Sequence, residues 1–347
     1  MRLARWLRRP IVWLPVSIGL LVVVAWRSRL WEAGAALGAV EPMSLLAAAG
    51  VCAVIPVLWA LRSADLLSAA GSRVSVGPLI PMTAFANTVN NLTPGSTGEI
   101  VRAYLLRAHH GVDYATSGAV ILIERLGALG FLTASGVLFW LTFIGVLPPL
   151  ATVALLAILV VAPGAIYGVG ARPSRLVRAL PLGGLIGSSR WAVTSSWLAR
   201  VDDTIAGLLV QPARMATFAL TTAVVFTCYA LQLVLVGRAV GIALDPVAAW
   251  GALGLATTAG VLSLLPFGLG AADLALAALL GVAGVPPLEA AAMTFGYRLV
   301  STLPLGVLGV IAYAFLSARL PAREVGIAGA LDAARTAVVA ERAPGDP

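Results

Sequence analysis

Apolar stretches dominate the chain and recur at lengths that match a lipid bilayer. A helix needs about 17 to 25 mostly apolar residues to cross the hydrocarbon core, and segments near or above that length are separated by short breaks containing Arg or Pro. This pattern predicts an all-α integral membrane protein, a polytopic helical bundle of about seven to nine spans. The expected spans are 11–26, 43–61, 114–146, 150–169, 213–236, 246–264 and 286–316.

Two apolar segments depart from this pattern because Pro, Gly and Asn interrupt them. They are residues 78–94 and 263–285. Irregular backbone at membrane depth is tolerated where protein buries it or where it lines a cavity. We therefore expect two re-entrant or broken helices, with structural breaks at Pro94, Gly95, Gly98, Pro266, Gly268 and Gly270.

The first ten residues carry four arginines ahead of the apolar run 11–26. Both a signal peptide and a first transmembrane helix begin in this way. The small residues at 33–35 resemble a cleavage site, but charged and bulky residues precede them. We favour an uncleaved anchor with a cytoplasmic N-terminus.

The domain organisation follows from these spans. Residues 1–318 form one polytopic transmembrane domain, and 319–347 form a short polar tail. The domain divides into halves at about 43–170 and 213–316, joined by a linker at 171–212. Residues 171–214 contain six Arg and two Asp, so the positive-inside rule predicts a cytoplasmic position. This segment is too short and featureless to be a catalytic domain.

The composition narrows the function further. Hydrophobic residues make up 60% of the chain and charged residues 11%, against about 45–50% and about 25% in soluble domains. All 23 basic residues are Arg, which excludes a Walker A lysine and a Schiff-base lysine. The net charge of +8 fits cytoplasmic loops and anionic lipid. Because basic and aromatic residues do not interleave, no nucleic-acid partner is expected.

The cysteines and histidines indicate neither a metal site nor a disulfide framework. Cys52 and Cys228 both lie in apolar stretches, and the only histidines, His109 and His110, are sequence neighbours whose side chains would diverge on a helix. The sequence also lacks recognisable catalytic and dinucleotide-binding motifs. We therefore expect no metal, no cofactor and no enzymatic activity.

A weak internal duplication is the most informative feature. Pro94 and Gly98 match Pro266 and Gly270 at an offset of 172 residues, and Arg125 matches Arg298 at 173. Each half thus contains a Pro, a Gly, an acid, a break and then an Arg. Duplicated halves with matching interrupted helices are typical of transporters that bind substrate at the repeat interface. We favour an inverted repeat over a parallel one.

Charged side chains within apolar helices need partners, because an isolated charge costs about 2.5–3.5 kcal/mol at the centre of a membrane helix. We expect Glu99 to pair with Arg125, and Asp273 with Arg298. In one interpretation these pairs only hold the broken segments in place, so that Arg125→Ala and Arg298→Ala each leave an unpaired buried carboxylate. In the other, the two arginines and Arg102 present a donor fork to a lipid phosphate or pyrophosphate.

The asparagines before the first break are further candidates. Asn90 is expected to cap a broken helix, whereas Asn87 and Asn91, one helical turn apart, are expected to line a cavity. The predicted substrate-binding residues are Asn87, Asn91, Glu99, Arg102, Glu124, Arg125, Asp273 and Arg298.

These motifs resemble a known family. Asn-x-x-Pro-Gly-x-x-Gly-Glu-x-x-Arg over 91–102, Glu-Arg at 124–125, Leu-Pro-x-Gly-x-Gly-x-x-Asp over 265–273 and Tyr-Arg at 297–298 are similar to the lysylphosphatidylglycerol synthase transmembrane region, a flippase-like family. The resemblance covers about residues 43–316. In relatives the second acid is usually Glu, so Asp273 is a departure with a shorter reach. The motif residues are Asn91, Pro94, Gly98, Glu99, Arg102, Glu124, Arg125, Pro266, Gly268, Gly270, Asp273 and Arg298.

The resemblance implies a lipid flippase or translocator of an anionic or lipid-linked headgroup in a bacterial cytoplasmic membrane. Its partners would be a membrane lipid and, as the members joined to glycosyltransferases suggest, a transferase. The sequence contains no recognisable synthase domain, so synthase activity is not expected. The alternative is a membrane enzyme or scaffold that assists a glycosyltransferase or aminoacyltransferase.

The charge of the linker generates a topology prediction. Ser188→Cys should be inaccessible to an impermeant thiol reagent added to intact cells, because the arginines around it favour the cytoplasm. The measurement compares labelling before and after membrane permeabilisation, in a background without Cys52 and Cys228. Labelling from outside intact cells would contradict the predicted topology.

Overall fold

The computed structural model describes residues 41–92, 97–168, 188–263, 268 and 270–317. This part of the chain is helical and contains no strand, as the all-α prediction requires. In chain order the helices are α1 Pro42–Val51, α2 Ile55–Ala69, α3 Val76–Leu92, α4 Thr97–His110, α5 Tyr114–Leu122, the π-helix π1 Ile123–Gly127, α6 Ala128–Phe143, α7 Pro149–Gly168, α8 Ser188–Leu209, α9 Pro212–Ala239, α10 Pro246–Leu262, α11 Ala271–Val282 and α12 Pro287–Ser317.

Within the part of the chain that the structure describes, four helical segments are long and apolar enough to cross a bilayer. They have 28 to 31 residues and are Pro42–Ala69, Tyr114–Phe143, Pro212–Ala239 and Pro287–Ser317. Three shorter apolar helices, Pro149–Leu159, Pro246–Leu262 and Ala271–Val282, accompany them. The span predicted at 11–26 and the tail 319–347 lie outside the described residues. The count of seven to nine spans therefore stays a prediction.

The first predicted interruption is narrower than the sequence suggested. Helix α3 continues from Val76 to Leu92 and includes both Pro78 and Pro81. The chain then turns back, because α4 packs against α3 so closely that a methyl group on Gly98 would overlap the carbonyl oxygen of Ala86. The predicted break residues Pro94 and Gly95 lie outside the described residues. Helices α3 and α4 thus form a hairpin.

A second hairpin joins α10 to α11, and its break contains the predicted residues Gly268 and Gly270. Both glycines have positive φ angles, 60° and 84°, which side-chain-bearing residues rarely adopt. A Cβ atom on Gly268 would also lie 3.0 Å from the Cα atom of Gly260 on α10. Pro266 lies outside the described residues. From Ala271 to Val282 the chain is a regular helix, so here too the irregular part is shorter than predicted.

Helix α6 brings the second hairpin against the first half of the chain. Gly136 of α6 faces Gly254 of α10, and a Cβ atom on Gly136 would lie 3.1 Å from the backbone of Gly254. Thr133 and Thr258 share a hydrogen bond of 2.9 Å across the same interface. Small residues let membrane helices approach closely and gain van der Waals contact. This contact places the two hairpins around one interior.

The predicted linker contains a helix that the sequence analysis missed. Helix α8 spans Ser188–Leu209 and packs against α5. Its contact face carries Trp197, Val201 and Ile205 at four-residue spacing, and this face meets Ala115 and Ala119. The arginines and aspartates on the same helix lower its average hydropathy, which concealed the apolar face. Residues 171–187 of the linker lie outside the described part.

The hairpin geometry predicts that Gly98→Ala destabilises the protein by about 1–3 kcal/mol, because the added methyl group forces α3 and α4 apart. Gly77→Ala is a matched control on α3, where a Cβ atom would meet nothing within 4 Å. That variant should be neutral or slightly stabilised, since Ala favours helix. Unfolding in mixed detergent micelles measures both changes. Equal stabilities for the two variants would mean that the hairpin tolerates a side chain at Gly98.

Candidate functional site

The two hairpins and their neighbouring helices enclose a cavity of about 600 Å³. Helices from both halves of the chain contribute to its wall, including α3 and α4 from the first half and α10, α11 and α12 from the second. The structure brings all eight predicted site residues to this one cavity: Asn87, Asn91, Glu99, Arg102, Glu124, Arg125, Asp273 and Arg298. Their role in binding a substrate stays a prediction.

Glu99 is the centre of the charged cluster in the first half. It is the third residue of α4, and its Oε1 atom accepts hydrogen bonds from both Nε and Nη2 of Arg125, the first at 2.8 Å. Asn90 donates to the same oxygen at 2.9 Å. Arg102 Nε lies 3.0 Å from the other oxygen, Oε2. The predicted pairing of Glu99 with Arg125 is confirmed, and Asn90 binds this carboxylate although we expected it to cap a helix.

Arg102 occupies a different position from the one expected. Its guanidinium group bridges Glu99 and Glu124, with a direct hydrogen bond from Nη2 to Glu124, and it also donates to Ser63 at 3.3 Å. Ser63 donates in turn to Glu124 at 2.5 Å. Only 7% of the Arg102 side chain is exposed. Because carboxylates on two sides hold Arg102, it mainly ties α4 to π1 and offers a ligand less than Arg125 does.

A π-helical turn presents the Glu124-Arg125 pair. Residues Ile123–Gly127 form π1 between α5 and α6, within one continuous helical segment. Single π-turns inside α-helices occur frequently at functional sites. Here Glu124 is 3% exposed, within the network of Arg102, whereas the Arg125 side chain is 45% exposed and lines the cavity. Hydropathy does not distinguish a π-turn from an α-turn, so the sequence offered no signal for it.

The second half repeats the contact in a simpler form. Arg298 Nε donates to Asp273 Oδ1 at 2.7 Å, which confirms the predicted pair. The other oxygen of Asp273 accepts from the backbone N–H of Gly270 at 2.9 Å, so the carboxylate also caps α11. The short side chain of Asp suits this backward reach. Asp273 and Glu99 are each the third residue of the helix that follows a break.

Arg62 belongs to the cavity wall, although the sequence analysis did not include it. Its Nη1 atom donates to Thr222 at 3.2 Å, and its guanidinium carbon lies 5.4 Å from the centre of the Phe218 ring. Its Nε atom is 3.8 Å from Glu124 and donates no hydrogen bond within the described residues. We missed Arg62 because the predicted span ended at residue 61. The polar residues Arg62, Ser63 and Asp65, directly after an apolar segment, were the available signal.

The two cysteines and His109 are not among the residues that line the cavity. Among the described residues, no three His, Cys, Asp or Glu side chains are grouped so that they could hold a metal ion. Cys52 is buried, and its thiol donates to the carbonyl oxygen of Val300 at 3.1 Å. Cys228 is a free thiol, and His109 is exposed near the end of α4.

Comparison with known proteins identifies the family. The family model described as "Lysylphosphatidylglycerol synthase TM region" matches residues 11–309. This chain belongs to the lysylphosphatidylglycerol synthase transmembrane-region family. The resemblance predicted from the sequence motifs is thus confirmed, and together with the long apolar helices it makes this chain a membrane protein.

The chain is also similar to a protein named "Glycosyltransferase AglD" from Haloferax volcanii. The two are 27% identical over 307 residues, which cover 78% of this chain and 49% of the relative. This family member therefore spans about half the length of the curated relative that it matches.

The two acid–arginine pairs predict unequal effects, which differs from the expectation that both arginine variants leave an unpaired carboxylate. Arg125→Ala should cost about 1 kcal/mol or less, because Arg125 is 45% exposed and Glu99 keeps Arg102 and Asn90. Arg298→Ala removes the arginine that binds Asp273. Breaking a fully buried pair costs about 3–5 kcal/mol, and the cost here should lie at the lower end of that range because the Arg298 side chain is 23% exposed.

Unfolding in mixed micelles gives both differences, and Asp273→Asn/Arg298→Gln is the control. This double variant removes the charges together, and the Asn oxygen can still cap α11, so most of the stability should return. If Arg125→Ala proved as damaging as Arg298→Ala, the contribution of Arg102 to Glu99 would have to be negligible.

Proposed function

We propose that this protein translocates a lipid with an anionic or lipid-linked headgroup across a bacterial cytoplasmic membrane. The observation that carries the proposal is the cavity between two helical hairpins, into which arginines from both halves of the chain project. Charged side chains inside a membrane protein have a large energetic cost unless they contact a polar ligand or water.

The geometry supports different roles for the charged residues of the cavity. Glu99 and Asp273 orient Arg125 and Arg298, which are the more exposed arginines of the cavity, while Arg102 is enclosed by carboxylates. A guanidinium group presents several N–H donors in one plane and matches the oxygens of a phosphate group. Arg125 and Arg298 would therefore contact the lipid phosphate, and the acids would hold them in position.

The hairpin breaks support the same proposal. Transporters commonly place substrate at discontinuous helices near the interface of two structural repeats. Both breaks in this chain are followed by a helix whose third residue is the acid that binds an arginine. The inverted repeat itself is part of the proposal.

A second candidate function follows from the comparison with the glycosyltransferase-named relative. This chain covers about half of that protein, so a membrane enzyme or a scaffold that presents lipid-linked substrates to a glycosyltransferase or an aminoacyltransferase is the alternative. In that case the cavity would bind lipid without moving it between leaflets. A transferase encoded beside this protein would favour the alternative and suggest the lipid.

The deciding experiment measures movement of a labelled anionic phospholipid between the leaflets of proteoliposomes. Wild-type protein should accelerate this movement, Arg125→Ala should slow it strongly, and Glu99→Gln/Arg125→Gln should also be slow because the anion-binding donors are lost. All samples are compared at matched amounts of folded protein. Asp65→Asn/Arg214→Gln is the control, because this interhelical ion pair lies outside the cavity.

Full transport by the well-folded Glu99→Gln/Arg125→Gln protein would show that the pair serves architecture alone. Lipid binding without acceleration in the wild type would favour the scaffold alternative. Loss of transport in the Asp65→Asn/Arg214→Gln control would indicate a general effect of removing ion pairs.

A further inference from the structure

We infer that the cavity accepts a lipid whose headgroup is a single phosphodiester bearing neutral hydroxyl groups, and that it rejects headgroups carrying an amino acid or another cation. This inference rests on the proposed function and narrows its substrate class. It follows from the charges of the cavity, from the occupancy of its carboxylates and from four polar side chains on its walls.

The charge of the cavity favours a ligand with one negative charge. The described residues that line it include four arginines and three carboxylates, which leaves one positive charge in excess. An uncompensated charge in a poorly solvated interior is costly. A phosphodiester neutralises it, whereas a pyrophosphate brings at least one further negative charge.

The carboxylates leave no place for a cationic headgroup. Glu99 is held by Arg102 and Arg125, Glu124 by Arg102 and Ser63, and Asp273 by Arg298 and the backbone of Gly270; the contacts are the ion pairs and hydrogen bonds described above. An aminoacyl ammonium group would have to displace an arginine from one of these carboxylates. It would also add positive charge where there is already an excess.

One position in the cavity is suited to the phosphate oxygens. Arg125 uses Nε and Nη2 to bind Glu99, and its Nη1 atom has no hydrogen-bond partner among the described residues. Because the side chain is 45% exposed and lines the cavity, Nη1 can donate to an anion while the bonds to Glu99 persist. Arg298 lines the same cavity from the opposite half.

Neutral polar side chains line the same space and suit hydroxyl groups. They are Asn87 and Asn91 on α3, Thr257 on α10 and Thr302 on α12, all of them half-buried. Within the described part of the chain, none of the four side chains forms a hydrogen bond with another residue. Amides and hydroxyls can both donate and accept, as a hydroxylated headgroup requires. A glycerol or a sugar attached to the phosphate would therefore find hydrogen-bond partners here. The test includes one lipid of each kind.

The test is lipid binding to the full chain in nanodiscs, with competing lipids measured by native mass spectrometry. Phosphatidylglycerol and a polyprenyl-phosphate hexose are the two hydroxylated phosphodiester probes. Phosphatidylethanol has the same charge without headgroup hydroxyls, lysylphosphatidylglycerol and phosphatidylethanolamine carry ammonium groups, and a polyprenyl pyrophosphate carries extra negative charge. We expect at least one hydroxylated probe to bind about tenfold more tightly than the ammonium and pyrophosphate lipids.

Two sets of variants separate the charge from the hydroxyl contacts. Arg62→Gln removes the excess positive charge while Glu124 keeps Arg102 and Ser63, so the preference for anionic over zwitterionic lipid should fall; Arg62→Lys keeps the charge and should retain the preference. Asn87→Ala/Asn91→Ala should reduce the preference for the hydroxylated probe over phosphatidylethanol by about three- to tenfold. It should leave phosphatidylethanol binding unchanged.

The outcomes distinguish this inference from the proposed function. Lysylphosphatidylglycerol bound as tightly as the hydroxylated probes, and moved between leaflets, would overturn the inference and leave translocation standing. Displacement of bound lipid by free glycerol phosphate at equal concentration would assign the site to a soluble phosphate and overturn the lipid class. If no phospholipid or polyprenyl lipid bound above the level of an Arg125→Ala/Arg298→Ala double variant, both the inference and the proposed function would fail.

Discussion

The structure depends on the cost of placing charge inside an apolar bundle. Among the described residues, four arginines and three carboxylates line the central cavity, and the carboxylates bind arginine at short distance. Removing one partner of such a pair exposes the other to a medium that solvates it poorly. The ion pairs therefore constrain where the hairpins can lie: α4 must stay against π1, and α11 against α12. Helix packing in the rest of the chain has to satisfy this arrangement.

Glycine makes that arrangement sterically possible. The hairpin of α3 and α4 closes because Gly98 has no side chain against Ala86, and α6 meets α10 where Gly136 faces Gly254. Lipid tails are as apolar as the helices, so close contact supplies attraction that the hydrophobic effect does not provide within the membrane. Close helix packing and ion pairing therefore depend on each other, because the arginines reach the acids only when the helices approach closely.

The asymmetry between the halves has consequences for function. The first half has an extended network of Arg62, Arg102, Glu99, Glu124 and Arg125, supported by a π-turn. In the described residues of the second half, the corresponding feature is the pair of Asp273 and Arg298, whose carboxylate also caps a helix. In the first network Glu99 has Arg102 and Asn90 as partners in addition to Arg125, so Arg125 can bind a ligand with little loss of stability. The second is more tightly coupled to the fold. A translocator built in this way would bind primarily through its first half and use the second to complete the cavity.

Much of this protein could be read from the order of its residues. Long apolar runs establish membrane helices because the bilayer has a fixed thickness, and the cost of buried charge was enough to pair Glu99 with Arg125 and Asp273 with Arg298. The break glycines Gly268 and Gly270 were recognisable because few other residues fit such backbone. Tertiary structure alone decided the rest. It enclosed Arg102 between two carboxylates, brought Arg62 into the cavity, formed π1 and packed α8 on α5. These features depend on which helices become neighbours, and local periodicity and composition do not contain that information.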